Sequence, residues 1–377
     1  MEISAITTLR PTRAEIDLSA LAHNLSVVKH LAGPAQVLAV VKAEAYGHGL
    51  TRIAQEFEKL GVDYLGVSFL EEGVALRQAG VNVPILVMGG LVDEQVDDYL
   101  EWNLTATVSS VWKARQINEA ASRRQAQAIV HLKFDTGMGR IGQHWQTAHL
   151  LLNEAARLPH LRIEGIYSHL ASADEQDLSF AYIQLERFQK ILETAKNIRI
   201  DASLIHIANS GALMQLGAAA RFTLVRPGLL LYGWTPSYHL EGQLNLQTVM
   251  TLKTRVVFVK KPPPESTIGY GSTWTSPGER WIATLPIGYG DGYPRRAGNR
   301  SQVFLRGRKC PIVGRVSMDQ ITVDAGPEAY LGDEVILFGG KGDSQLSLWD
   351  LCRTIDAVPY EILCGLTLRV PRVYDAC

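Results

Sequence analysis

Cysteine is scarce in this 377-residue chain, which excludes a disulfide framework. The four present, Cys310, Cys352, Cys364 and Cys377, fall late and form no Cys-x-x-Cys pair. Nor do they have a histidine spacing that suggests zinc, so no metal site is expected. They read as reduced thiols in a reducing compartment. Long apolar runs are missing too: nowhere do about 18 uncharged apolar residues follow one another. The opening MEISAITTLRPTRAEIDL has no apolar stretch of signal-peptide length. Neither a membrane span nor an export signal is expected, which favours the cytoplasm. Charge of one sign is also lacking, with 37 Lys and Arg against 38 Asp and Glu and a formal net charge of -1. No broad field would gather nucleic acid or an anionic membrane, so any partner must be recognised locally. What is present, 46% hydrophobic and 20% charged residues, is the composition of a folded globular chain, and its length calls for two domains.

From about residue 36 to 230 one theme repeats: a short apolar run, a polar or glycine-containing turn, then a helical pattern. The apolar runs lie near 37–42, 63–68, 84–89, 104–108, 128–134, 161–168, 203–207 and 223–226. Between them, segments such as TRIAQEFEKLG place apolar residues every three or four positions, as on an amphipathic helix. Eight alternating units favour a closed (β/α)8 TIM-type barrel over an open doubly wound sheet. After about residue 243 the texture changes to β-branched runs (LKTRVVFVK, QVFLRG, DEVILFG) parted by Pro and Gly clusters. The expected division is therefore a barrel domain over 12–243 and a mainly β C-terminal domain over 244–377. An N-terminal strand within 1–11 is expected to pack on the latter. There is no low-complexity tract and no solenoid repeat.

Lys42 closes a buried-looking run in AVVKAEAYGHG. A strand-end lysine ordinarily snorkels to solvent. At the C-terminal mouth of a barrel strand, desolvation can instead lower its pKa enough for it to bond a carbonyl cofactor. Gly137, Gly139 and Gly142 literally satisfy G-x-G-x-x-G, a dinucleotide signature. However, they follow the fifth apolar run, no acidic residue closes the next strand at the usual distance, and Arg140 sits inside the motif; the dehydrogenase reading is set aside.

Lys42 with Ala43, Ala45, Tyr46, Gly47, His48 and Gly49 resembles the cofactor-lysine signature of the alanine racemases. Later blocks match that family in order: HLKFDTGMGRIG (131–142), GIYSHLASADE (165–175), HIANS (206–210), VRPGLLLYG (225–233), GYGSTW (269–274), PIGYGDGYPRR (286–296), VGRVSMDQ (313–320), and PYE with RVPR (359–372). One departure is Glu44, where the family usually has Asn or Asp. The resemblance implies a (β/α)8 barrel with a C-terminal β domain, pyridoxal 5'-phosphate carried on Lys42, and a homodimer with shared active sites. It also implies the interconversion of L- and D-alanine, which supplies D-alanine for peptidoglycan.

Racemisation removes a proton from one face of a planar carbon and returns one to the other, so a second base is required. In the family it is a tyrosine of the partner subunit, and Tyr270 matches it. A tyrosine serving near pH 7 needs its pKa lowered by about 3 units, or about 4 kcal/mol. His169 and Arg226, ending the sixth and eighth runs, are placed to supply this through a hydrogen-bonded chain. Arg226, a donor that stays charged, would leave the cofactor's ring nitrogen unprotonated and weaken the electron sink, which suits simple proton exchange.

Phosphate in barrels commonly lies at the loops after strands seven and eight, where Ser210 and Gly228 fall. By the resemblance, Tyr46, Asn209, Ser210, Gly228, Leu229 and Tyr360 belong to that cofactor site. Singly, Ser210 reads as a helix cap, Arg226 as a structural ion pair and Tyr270 as a packing tyrosine. Arg140 and Met318 match substrate-carboxylate positions, with Arg140 also near the cofactor. Tyr289, Asp174 and Arg295 match a narrow entrance. Lys133 matches a lysine often carbamylated in the family, and Asp319 is expected to support the site from behind. The competing readings are a racemase of other or broader amino acids, a related decarboxylase, and a non-catalytic barrel that only carries the cofactor. The β domain and Tyr270 argue against the last. Arg226, where the decarboxylase branch carries an acid, argues against the second.

Overall fold

The computed structural model describes residues 10–375. Its chain divides into two compact units, one of residues 22–246 and one of residues 247–375 joined by the described residues up to 21.

The larger unit is a nearly closed barrel of eight parallel strands: Gln36–Val40, Tyr64–Val67, Ile85–Val87, Thr105–Val108, Ala128–Asp135, Leu161–Tyr167, Leu204–His206 and Leu224–Val225. Each falls on one of the eight apolar runs. The runs are continuous rather than alternating because helices cover the outside and neighbouring side chains fill the inside; the second, third and fourth strands are buried at every position. The covering helices bury single faces. In Leu50–Lys59 these are Leu50, Ile53, Ala54 and Phe57, and in Ser179–Asn197 they include Ala181, Leu185, Phe188, Ile191 and Ala195. Each large side chain so buried contributes roughly 1.5–3 kcal/mol.

Closure is uneven around the ring. The eighth strand pairs with the first through Leu224 opposite Gln36 and Val225 opposite Val37. The seventh and eighth strands, at three and two residues, form no regular ladder. The amides of Thr223 and Arg226 instead reach the carbonyls of Ile205 (3.1 Å) and Ala208 (3.0 Å), and the Thr223 hydroxyl accepts from the Ile205 amide at 2.7 Å.

In the other unit a six-stranded sheet runs in the order Arg308–Pro311, Gln302–Leu305, Glu334–Phe338, Met250–Arg255, Arg13–Asp17, Arg372–Asp375. Phe258–Lys260, Ile282–Leu285 and Ile321–Asp324 form a three-stranded sheet beside it in sequence. Residues 1–9 of the expected N-terminal strand lie outside the described residues. The strand that joins this sheet is Arg13–Asp17, whose alternation buries Ala14 and Ile16 while Glu15 takes an ion pair from Lys253 at 2.9 Å. Asp17 then accepts from the Ala20 amide (2.9 Å) and the Ser19 hydroxyl (2.5 Å), which starts the helix Leu18–Ala32. No helix among the described residues is long and apolar enough to cross a membrane.

Candidate active site

Lys42 stands two residues beyond the first barrel strand and opens an unusual turn. Ala43, Glu44, Ala45 and Tyr46 all have φ between 52° and 57°, a full left-handed helical turn without a glycine. Such backbone costs roughly 1–2 kcal/mol per residue, so about 4–8 kcal/mol for the four. Neighbours hold it in place. Glu72, in the first turn of the helix after the second strand, accepts from the amides of Ala43 (2.6 Å), Ser68 (2.7 Å) and Phe69 (3.1 Å). The Ala45 amide reaches the Val41 carbonyl at 2.8 Å, and the His48 ring donates through Nδ1 to the carbonyls of Ala45 (3.0 Å) and Tyr46 (2.8 Å). Glu44, the position where the sequence departs from its look-alikes, extends its carboxylate to the Leu50 amide at 3.2 Å. It thereby caps a helix whose own cap residue, Gly49, has no side chain to offer.

Tyr46 is buried, its ring 5.0 Å from that of Tyr232, and its hydroxyl meets the loop after the eighth strand. A Cβ on Gly228 would lie 2.4 Å from that hydroxyl, so only glycine leaves the space. The Gly228 amide donates to Ser210 Oγ at 3.0 Å. Asn209, rather than Ser210, caps the helix Ser210–Gln215, accepting from the Ala212 amide at 3.0 Å. Ser210 is thus released from the capping duty that its sequence context suggests. Two hydroxyls and the backbone of Gly228 and buried Leu229 gather here, a cradle of phosphate-binding character. Asp174 sits at the edge, its amide 2.9 Å from where a Cβ on Gly211 would be.

Arg226 centres the polar cluster. Its guanidinium reaches His206 Nδ1 (2.8 Å), the Ser168 carbonyl (2.8 Å), His169 Nδ1 (3.2 Å) and the Ile207 carbonyl (3.3 Å). Guanidinium only donates, so both histidines must accept on Nδ1 and carry their proton on Nε2. Burial, then the Arg226 charge, pushes both rings well below the ordinary histidine range, and they are neutral at pH 7. Burial also lowers Arg226 itself, to about 10, and it remains charged. Lys133 lies 4.1 Å over the Tyr167 ring. Burial first, then Arg226 and Arg140, drive its amine well below the usual lysine value. Lys133, Met138, Arg140, Ser168 and His169 line one small cleft, and Lys42 acts electrostatically on both Lys133 and His169.

The structure therefore brings Lys42, Tyr46, Arg140, His169, Asp174, Asn209, Ser210, Arg226, Gly228 and Leu229 to the strand-end loops of the barrel unit, with Lys133 inside the fifth strand. The other expected residues belong to the β unit. Tyr270, 72% exposed, opens a short turn after Gly269, whose φ of 75° and close approach to the Arg315 backbone require glycine. The loop carrying exposed Met318 packs on the turn carrying Tyr289, with the Gly290 amide on the Met318 carbonyl at 2.9 Å. Asp319 is held by Arg369 at 2.6 Å, and Arg369 also faces buried Asp291 at 3.4 Å. Arg295 begins the turn Arg295–Ala297, and Tyr360 lies in the helix Pro359–Gly365.

The G-x-G-x-x-G segment is no dinucleotide turn. The Asp135 carboxylate accepts from the amides of Gly137 (2.8 Å) and Gly139 (3.0 and 3.1 Å), which a pyrophosphate would need. The chain then enters the short strand Gln143–His144 instead of a helix. Sequence reasoning missed Glu72, His131, Glu164 and His206. For the last three the available signal was an ionisable side chain inside an apolar barrel run; Glu72, in the first turn of a helix, gave no such signal.

Residues 16–236 match the family model of the alanine racemase N-terminal domain, and residues 249–374 that of the C-terminal domain. Among curated relatives, the alanine racemase of Halothermothrix orenii is 42% identical over 368 residues, covering 97% of both chains. That of Desulforamulus reducens is 43% identical over 369 residues, 97% of this chain and 99% of that one. Among solved structures, alanine racemase from D-cycloserine-producing Streptomyces lavendulae superposes with a TM-score of 0.93 at 32% identity, covering 98% of each chain. The Bacillus anthracis enzyme with bound L-Ala-P gives 0.91 at 32% identity, over 98% of this chain and 96% of that one.

Proposed function

The chain belongs to the alanine racemase family, so it is an amino-acid racemase, and from that premise we propose that it interconverts L- and D-alanine using pyridoxal 5'-phosphate held on Lys42. The residues present fit that cofactor. The hydroxyls of Tyr46 and Ser210 and the backbone at Gly228 and Leu229 suit its phosphate, Arg226 suits its ring nitrogen as a donor, and Lys42 supplies the amine that would join it covalently. When bound, the cofactor supplies an electron sink that makes the α-proton of the amino acid removable.

The observation that carries the reading is the direction of hydrogen bonding around Arg226. Arg226 donates to Nδ1 of His169, so His169 presents an N–H at its other nitrogen. An N–H there stabilises an oxyanion, which is what a tyrosine needs in order to act as a base. We assign that tyrosine as Tyr270, contributed by the partner subunit of a homodimer, and the opposite base as Lys42. Arg140 and Met318 would orient the substrate carboxylate, Tyr289, Asp174 and Arg295 would narrow its entrance, and Tyr360 would complete the phosphate site. The product would be D-alanine for peptidoglycan, made in the cytoplasm.

The test is direct. Purified protein loaded with pyridoxal phosphate should show imine absorbance that borohydride fixes onto the Lys42 peptide, and should exchange the α-hydrogen of either alanine enantiomer in heavy water. Protein that neither binds the cofactor nor exchanges alanine would overturn the proposal. A panel of L-amino acids separates alanine specificity from broader action.

A further inference from the structure

The buried polar cluster does not end at His206. His206 Nε2 meets His131 Nδ1 at 2.9 Å, and His131 Nε2 meets Glu164 Oε2 at 3.4 Å. Glu164 also accepts from the Tyr64 hydroxyl (2.7 Å) and from Arg162 (3.1 Å), while Tyr64 reaches Thr105 at 2.6 Å. Tyr64 and Thr105 are the first residues of their strands. The line Arg226, His206, His131, Glu164 therefore runs through the barrel interior from its catalytic mouth toward its opposite end.

Both ends of this line impose the same polarity. Arg226 can only donate, and an ionised carboxylate can only accept. His206 must take a proton on Nε2 and give it to His131, and His131 must do the same toward Glu164. The rings are also fixed in place. His206 stacks on Tyr167 with centroids 4.6 Å apart and planes 6° from parallel, and a Cβ on Gly165 would stand 2.6 Å from His131 Nδ1. Both histidines are fully buried. Removing the acceptor at the far end would leave a buried His131 N–H unsatisfied. The low-energy escape is to move that proton to Nδ1, which turns a protonated His206 Nδ1 against the guanidinium.

We infer that Glu164 is a positioning residue for the reaction: acting through His131 and His206, it holds Arg226 in the orientation that the active site requires. This inference rests on the racemase reading for its kinetic consequence but not for its structural one.

The test uses holoenzyme labelled with 15N-histidine. In the wild type, long-range 1H–15N spectra should place the protons of His131 and His206 on Nε2, and a proton on Nδ1 of either would overturn the inference whatever the enzyme's activity. In Glu164→Leu, mixed tautomers are expected, with kcat for alanine lower by about tenfold and KM within about twofold. Glu164→Gln, whose amide oxygen can still accept, should restore most of that loss. If the leucine variant does not fold, His131→Phe, which keeps the ring shape and cuts the chain, should give the same kcat loss. Wild-type kcat in a folded Glu164→Leu or His131→Phe variant, with only the melting temperature lowered, would reduce Glu164 to a structural residue and refute the claim.

Discussion

Glu72→Gln is the substitution that most directly probes how Lys42 is held. The Glu72 carboxylate uses both oxygens, one for the Ala43 amide and the other for the amides of Ser68 and Phe69. A glutamine has one acceptor oxygen, so whichever way the amide turns, an NH2 faces a backbone N–H. A hydrogen bond to a charged group is worth about 1.5–3 kcal/mol. The Ala43 contact is exposed and water replaces part of it, which leaves about 1–2 kcal/mol. For a barrel unit of residues 22–246, that corresponds to a fall of about 2–8 °C in Tm. The left-handed turn stores more than this, so weakening its tether should also let Lys42 drift. A displacement near 1 Å would lower kcat by up to about a hundredfold. Thermal unfolding and steady-state racemisation should be measured for Glu72→Gln beside Glu71→Gln, its exposed neighbour, whose effect should stay within about 0.5 kcal/mol. If the two variants unfold and turn over alike, the tether has no role and the reasoning fails.

Further expectations concern other positions. Tyr270→Phe should keep cofactor absorbance and lose about 10²–10⁴-fold in racemisation; unchanged turnover would remove Tyr270 as a base. Gly228→Ala, whose methyl would meet the Tyr46 hydroxyl at 2.4 Å, should weaken cofactor binding in a fluorescence titration while the apo barrel still folds. The Lys133 amine, whose pKa burial and then its cationic neighbours push well below the ordinary lysine value, should add carbon dioxide and release a proton. Intact-protein mass spectrometry with and without bicarbonate reads this, and a plain amine in both samples would dismiss it. Burial alone would raise Asp17, but Lys341, Ser19 and the Ala20 amide outweigh it and hold the carboxyl at about 2. Because the folded value is depressed, the stabilisation is complete above the ordinary carboxylate range and disappears as pH falls toward 2. With Lys341 largely exposed, Asp17→Asn should cost about 1 kcal/mol at neutral pH and nothing in strong acid, as followed by urea unfolding.

The eight barrel strands were legible because parallel strands buried on both faces leave unbroken apolar runs. Lys42 stood out as a cation at the end of one such run. The turn after it was not legible. Ala-Glu-Ala-Tyr has right-handed helical propensity and no glycine, and Glu72, brought up from the next helix by tertiary packing, helps the His48 ring hold it the other way. Asn209 and Ser210 could not be told apart as the helix cap, since both residue types cap well and the choice follows from where Gly228 places its amide. His131, Glu164 and His206 each look like an isolated polar residue in an apolar strand. Their line appears only once three strands, separated by up to 75 positions in sequence, lie side by side.

The seam between the seventh and eighth strands gives the barrel a weakest stave, next to Ser210 and Gly228. Deuterium should enter the backbone there first, at Thr223 and Arg226, well before it reaches the amides of the regular ladders. A ligand whose phosphate bridges the two loops at that seam would act as a hoop around the cask. Loading and folding would then be coupled, with the apo protein opening along this line and the loaded one kept shut by mass action.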